Sequence, residues 1–170
     1  MTTIRGKVWK FGDNVSTDLM APGFAFDASW AERKKIILQN HPRFTQEAKP
    51  GDIIVAGRNW GCGSSREHAP ANLKRLGLGC VLAESFGRIY FRNSVALAFP
   101  SLACPGVSEA FDEGDELELE LETARVRNLS NGKELQGEPF SKDMLDIIAK
   151  GGIMTALQEK LGINTKPEGK

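Results

Sequence analysis

The sequence predicts a mixed α/β fold with a mainly parallel sheet and a C-terminal antiparallel hairpin. Three observations carry that prediction. Short apolar runs at residues 52–56, 80–83 and 101–104 read as strands buried on both faces, and stretches of helical length separate them. Strand, helix, strand, helix, strand in that order implies parallel pairing through right-handed crossovers. From residue 109 to residue 122 the pattern changes: Leu117, Leu119 and Leu121 recur at period two among eight acidic residues, as in an antiparallel strand with one solvated acidic face.

Element by element, residues 4–9 alternate loosely, like a first strand. A loop of small and turn-forming residues follows from Gly12 to Ser29, and residues 31–40 read as a short helix ended by His41-Pro42, since the residue before proline avoids helical geometry. Pro50-Gly51 introduces the second strand. A glycine-rich loop, residues 58–64, then leads into a helix expected over 65–76 and closed by Gly77. Residues 86–97 read as a further helix. Val126 and Leu129 suggest the partner of the acidic strand, with Asn131-Gly132 as a hairpin turn. Ser141 caps a helix over 142–150 that Gly151-Gly152 terminates, and a last helix covers residues 153–161. One domain spans residues 1–165, with residues 166–170 as a disordered tail.

Composition narrows the function. The 170 residues carry 22 basic and 22 acidic side chains, so the formal net charge is zero and nothing marks a nucleic-acid partner. No run approaches the roughly 18 apolar residues of a spanning helix, and the N-terminus lacks a secretory apolar stretch; a chain free of the membrane, in the cytoplasm, is expected. The three cysteines, Cys62, Cys80 and Cys104, are odd in number and form no C-x-x-C pair. Their spacing supports neither a self-contained metal or iron–sulfur site nor a disulfide framework, and buried or bystander thiols are the plain reading.

The informative segment runs from Gly57 to Pro70: Gly-Arg-Asn-Trp-Gly-Cys-Gly-Ser-Ser-Arg-Glu-His-Ala-Pro. It lies between a buried strand and a helix, where α/β sheets bind ligands. Gly61 and Gly63 let backbone approach a ligand, and a helix start favours an anion. It is no P-loop, having no lysine, and no dinucleotide fingerprint, because Arg66 stands where the third glycine belongs. Ser64-x-x-Glu67 spells a capping box, so Ser64 serves either as a helix cap or, compatibly, as a reactive hydroxyl. Arg66 suits a bidentate grip on a carboxylate. His68, one helical turn beyond Ser64, reads as a supporting residue on the same face. Between Arg58 and Arg92 six basic residues face two acidic ones, a tilt toward an acidic substrate.

Gly12-Asp13-Asn14-Val15-Ser16-Thr17-Asp18, the Gly-Ser-Ser-Arg-Glu-His run and Ser85-Phe86-Gly87-Arg88-Ile89, in this order, resemble the swivel domain of the aconitase superfamily. The length and the stretches His41-Pro42-Arg43-Phe44 and Lys49-Pro50-Gly51-Asp52 resemble its stand-alone small subunits, as in the 3-isopropylmalate dehydratases and their homoaconitase-like relatives. The resemblance implies a three-layer swivelling β/β/α domain that reversibly dehydrates a hydroxy-carboxylate, leucine biosynthesis being the first candidate role. It also implies a [4Fe-4S] cluster on a large-subunit partner, in a heterodimer or heterotetramer, with no cofactor on this chain.

By the same resemblance Ser64 and Asp18 are the catalytic candidates, Ser65 and Arg66 bind substrate carboxylate, and His68 and Arg88 support them. Two departures stand out. Where relatives carry a Tyr-Leu-Arg-like stretch that helps to select substrate, this chain has Leu19, Met20 and, further on, Phe24, which become the specificity loop. Arg33 is the nearest substitute for the missing arginine, or else helix surface. Gly87 stands where alanine is usual. Phe24, Phe26 and Trp30 crowd one loop, as a docking surface for the large subunit or as core. Homoaconitate, citraconate, methylmalate and dimethylmalate remain alternative substrates, and a non-catalytic ligand- or RNA-binding swivel module is the alternative class.

Overall fold

The computed structural model describes residues 1–64 and 66–163; the Ser65 expectation and the expected tail at 166–170 lie outside them. Seven strands form one sheet in the order β4-β3-β2-β1-β5-β6-β7. β1 (Thr3–Lys10), β2 (Ile53–Ala56), β3 (Cys80–Ala83) and β4 (Ser101–Ala103) are parallel neighbours. β5 (Glu116–Glu120), β6 (Arg125–Asn128) and β7 (Glu134–Gln136) continue antiparallel from the free edge of β1, a three-stranded meander where a hairpin was expected.

The apolar runs are buried because both faces of the parallel half are covered. Trp9, Ile54, Ala56, Val81 and Ala83 point into one core. The alternate residues Val8, Ile53, Val55, Cys80 and Leu82 point into the other, as a period of two requires. Leu117, Leu119 and Val126 of the meander join that second core, so the sheet curls over it. There α6 (Val107–Ala110) and α7 (Lys142–Ala149) pack, with α8 (Ile153–Lys160) against α7. On the first face lie α1 (Thr17–Met20) and α4 (His68–Arg75), in contact with each other, while α5 (Arg88–Ala96) reaches both cores through Tyr90 and Val95. Ser141 caps α7 as its sequence suggests, its side chain accepting from the Met144 amide.

Four local expectations are corrected. The acidic strand face is not wholly solvated: Glu118 is 4% exposed and lies between Arg5 and Arg127, cross-strand neighbours that neutralise it. The expected helix over 31–40 is one turn, α2 (Trp30–Arg33), followed by turns. Leu38 takes φ 58° and donates its amide to the Leu19 carbonyl, which buries Ile37 and Leu38 against α1 at the expense of helix.

Third, α4 begins at His68, not at residue 65. Pro70 explains this. In a helix begun at His68 it falls in the first turn, where a missing amide hydrogen costs nothing, whereas a start at residue 65 would put it in the interior. Glu67 is therefore the residue at the cap with no side-chain capping bond, the capping box does not form, and Ser64 and His68 do not share a helix face. Fourth, Met20 is fully buried in the core beneath α1 and cannot line a specificity loop.

Candidate active site

The loops that leave the carboxyl ends of β1, β2 and β3 are sewn together by backbone bonds. Val55 accepts from the Phe11 amide, Arg58 from Asn14, Val15 from Gly61, Cys62 from Thr17 and Trp60 from Gly87. Asp13 fixes the turn after β2 by accepting from the Arg58 amide at 2.7 Å. Asn14 and Asn59 both hold left-handed backbone and are bonded side chain to side chain at 3.0 Å; strained residues of this kind gather at functional sites. Gly61 has φ +77°, and a Cβ there would lie 2.3 Å from the Tyr90 ring. The unusual Gly87 has its own reason, since a Cβ would sit 2.7 Å from the Gly61 carbonyl oxygen.

This packing presents Ser64 at the surface, three residues short of α4. Its hydroxyl lies 3.3 Å from Thr17 Oγ1, which also donates to the Ser64 carbonyl at 3.3 Å. Thr17 is 1% exposed and anchored by its helix, so the Ser64 hydroxyl is held from beneath. Thr17 directly precedes Asp18 in the Gly-Asp-Asn-Val-Ser-Thr-Asp run, and that adjacency is its one signal in the sequence. Asp18 follows Ser16, whose hydroxyl caps α1 by accepting from the Asp18 amide. The Asp18 carboxylate pairs with Arg66 Nη1 at 3.1 Å, and that nitrogen also donates to the Ala21 carbonyl at 2.9 Å. Asp18 thus orients the guanidinium.

Arg66 borders a crevice that also holds Arg33 and His68, walled by Ala21, Pro22 and Ile37. Arg33, distant in sequence, thus joins Arg66 and His68 along one crevice. Arg33 is half-buried, its guanidinium 5.6 Å from the Trp30 ring, and its buried Nε has no hydrogen-bond partner among the described residues. Its place is the crevice rather than open helix surface. His68 packs edge-on against Phe26 at 4.9 Å. Leu19 is half-buried against the first core. Phe24 is 83% and Phe26 60% exposed, whereas Trp30 packs on the core, so of the aromatic trio only Trp30 takes the expected core position. Arg88 opens α5 in solvent and, among the described residues, forms no bond to Ser64 or Arg66.

Around this geometry the sequence relationships are consistent. A family model for the aconitase C-terminal domain matches residues 24–104. The chain is 46% identical over 160 residues to an isopropylmalate/citramalate isomerase small subunit of Methanocaldococcus jannaschii, covering 93% of this chain and 95% of that one. The chain belongs to the 3-isopropylmalate dehydratase small-subunit family. It is also 46% identical to the 3-isopropylmalate dehydratase small subunit of Aquifex aeolicus, over 92% and 95% of the two chains. To a methanogen homoaconitase small subunit of Methanothermobacter thermautotrophicus it is 42% identical, over 89% and 88%. A crystal structure of a 3-isopropylmalate dehydratase from M. jannaschii superposes with a TM-score of 0.87 at 31% identity, covering 95% and 97%. The mixed α/β fold with its curled sheet is the family's.

The family's iron–sulfur cluster finds no fit among this chain's own donors. Cys80 begins β3 at the end of the sheet away from Ser64, and burial pushes its thiol far up. Burial, with the Glu84 carboxylate nearby, pushes the Cys104 thiol up to about 12, whereas a metal ligand must be a thiolate. Cys62 lies in the loop after β2, and among the described residues no three His, Cys, Asp or Glu side chains gather to hold a metal.

Proposed function

We propose that this chain is the small subunit of a heteromeric hydro-lyase that reversibly dehydrates and isomerises a hydroxy-dicarboxylate, 3-isopropylmalate first among the candidates, in the cytoplasm. The larger partner subunit supplies the [4Fe-4S] cluster. The observation that carries the reading is a solvent-facing Ser64 hydroxyl, braced by Thr17, beside an Arg66 guanidinium that Asp18 orients. Arg66 grips the carboxylate that the substrates share, exchanging the Ala21 carbonyl for a charged acceptor. Ser64, as its alkoxide, takes the proton from the carbon beside that carboxylate and becomes the neutral hydroxyl, leaving the electron pair on the carbon. Thr17 Oγ1, within reach at 3.3 Å, turns its hydrogen toward the serine oxygen while that oxygen is the alkoxide. Exposed Phe26, at the rim of the crevice, and exposed Phe24, two residues before it, suit contact with the partner subunit.

A tricarboxylate such as homoaconitate is the second reading, and one observation favours it: Arg33 lines the same crevice as Arg66, a second guanidinium for a third carboxylate. The deciding experiment measures turnover of isopropylmalate, citramalate and homoaconitate by this chain assembled with its large subunit, and by this chain alone. Preference for isopropylmalate in the assembly, with none alone, is expected. A strong preference for the tricarboxylate would overturn the substrate assignment, and turnover by the isolated chain would overturn the division of labour.

A further inference from the structure

We propose that a second cavity, at the opposite end of the sheet from Ser64, binds a small polyanion: a molecule with two or more carboxylate or phosphate groups and an apolar face. The cavity holds about 390 Å³, within the range of small-molecule sites. It opens beside α2 and α3 (Phe44–Glu47), where the chain enters β2 through Lys49-Pro50 and β3 through Leu76–Leu78. Ser64 lies beyond the other end of β2, so the two places are distinct.

Trp30, Phe44 and Leu78 give the cavity an apolar wall, and Lys34, Lys35, Lys49 and Arg75 supply four cationic groups, with no acidic residue among its described lining. None of these four forms an ion pair among the described residues, whereas Arg5, Arg43, Arg66, Arg125, Arg127 and Lys150 all do. In a chain with as many acids as bases, four uncompensated like charges around one concavity repel one another and focus a positive potential into it. Arg75 is moreover pre-positioned. Its guanidinium lies 4.3 Å from the Trp30 ring centroid, and stacking of this kind leaves the edge of the fork free to hold an oxyanion bidentately. Trp30 belongs to the same one-turn helix as Arg33 of the crevice.

The chain carries its own reporter, because Trp9 and Trp60 are fully buried and Trp30 is not. The full chain is titrated with pyrophosphate and with tricarballylate while tryptophan fluorescence is followed, against sodium chloride at matched ionic strength. The expected result is a saturable change with both anions, at least tenfold weaker in the double variant Lys49→Gln/Arg75→Gln and unchanged in Arg66→Gln, all variants keeping the parental circular dichroism. Loss of the response in Arg66→Gln instead would assign the anion to the crevice and overturn the proposal, leaving the reading of Ser64 intact. An unaltered response in the double variant, or no saturation below about 10 mM beyond the salt control, would overturn it as well.

Discussion

Replacing Ser64 by alanine separates chemistry from architecture, because the hydroxyl has almost no structural duty. Ser64 is exposed, it caps no helix, and among the described residues its hydroxyl has one hydrogen-bond partner, Thr17 Oγ1 at 3.3 Å. The buried Thr17 hydroxyl is not orphaned by the change, since it keeps the Ser64 carbonyl at 3.3 Å. Surface substitutions that leave no buried polar group unpaired shift stability by no more than about 0.5 kcal/mol, here about 1–2 °C in Tm. Removing a general base costs about 10²–10⁴-fold in rate, which corresponds to about 2.7–5.4 kcal/mol of transition-state stabilisation. Ser64→Ala should therefore melt with the parent, bind the large subunit as the parent does, and lose nearly all of kcat in the assembled enzyme. An assembled Ser64→Ala enzyme of near-parental kcat would refute the assignment of Ser64 as base. A Tm lowered by more than about 4 °C would refute the claim that it has no structural duty.

Arg66→Lys keeps the charge but not the fork, and its ion pair with Asp18 is solvent-exposed; Tm should hold within about 2 °C while KM rises about tenfold or more, and an unchanged KM would remove Arg66 from the substrate. Gly61→Ala must place a methyl 2.3 Å from the Tyr90 ring at φ +77°, so a loss of about 1–3 kcal/mol in thermal unfolding is expected, and a parental Tm would show that the loop yields. Glu113 is pushed up by burial but drawn down further by bonds from Arg43, His41 and the Lys10 amide, leaving its carboxyl below the usual 4.5. A depressed carboxylate stabilises the fold above its unfolded value and ceases to as pH falls through its folded one. Glu113→Gln should thus destabilise the chain at neutral pH and converge on the parent below the carboxylate range; a difference independent of pH would contradict the ion-pair account.

The strands were legible in the sequence because burial on both faces writes itself as uninterrupted apolar runs, and the residues 80–83 appear unchanged as β3. So was the Ser141 cap, a signal contained within four residues. The site motif was legible as a resemblance. What local pattern could not give was the outcome of competition with distant contacts. The Ser64-x-x-Glu67 box reads as a helix start, yet Pro70 and the loop's bonds to the β1 connection begin the helix at His68 and leave Ser64 free. Residues 31–40 have helical composition, but burying Ile37 and Leu38 against α1 outweighs the helical bonds forgone. Met20 and Arg33 show the same division. Their residue types fitted a specificity loop, and only the chain's return over α1 and α4 sends one into the core and the other into the crevice beside Arg66. The sequence by itself determined which segments pair and which carry chemistry, since periodicity and motif are local. The tertiary structure alone decided which side chains meet, since burial is shared among residues that are neighbours only after folding.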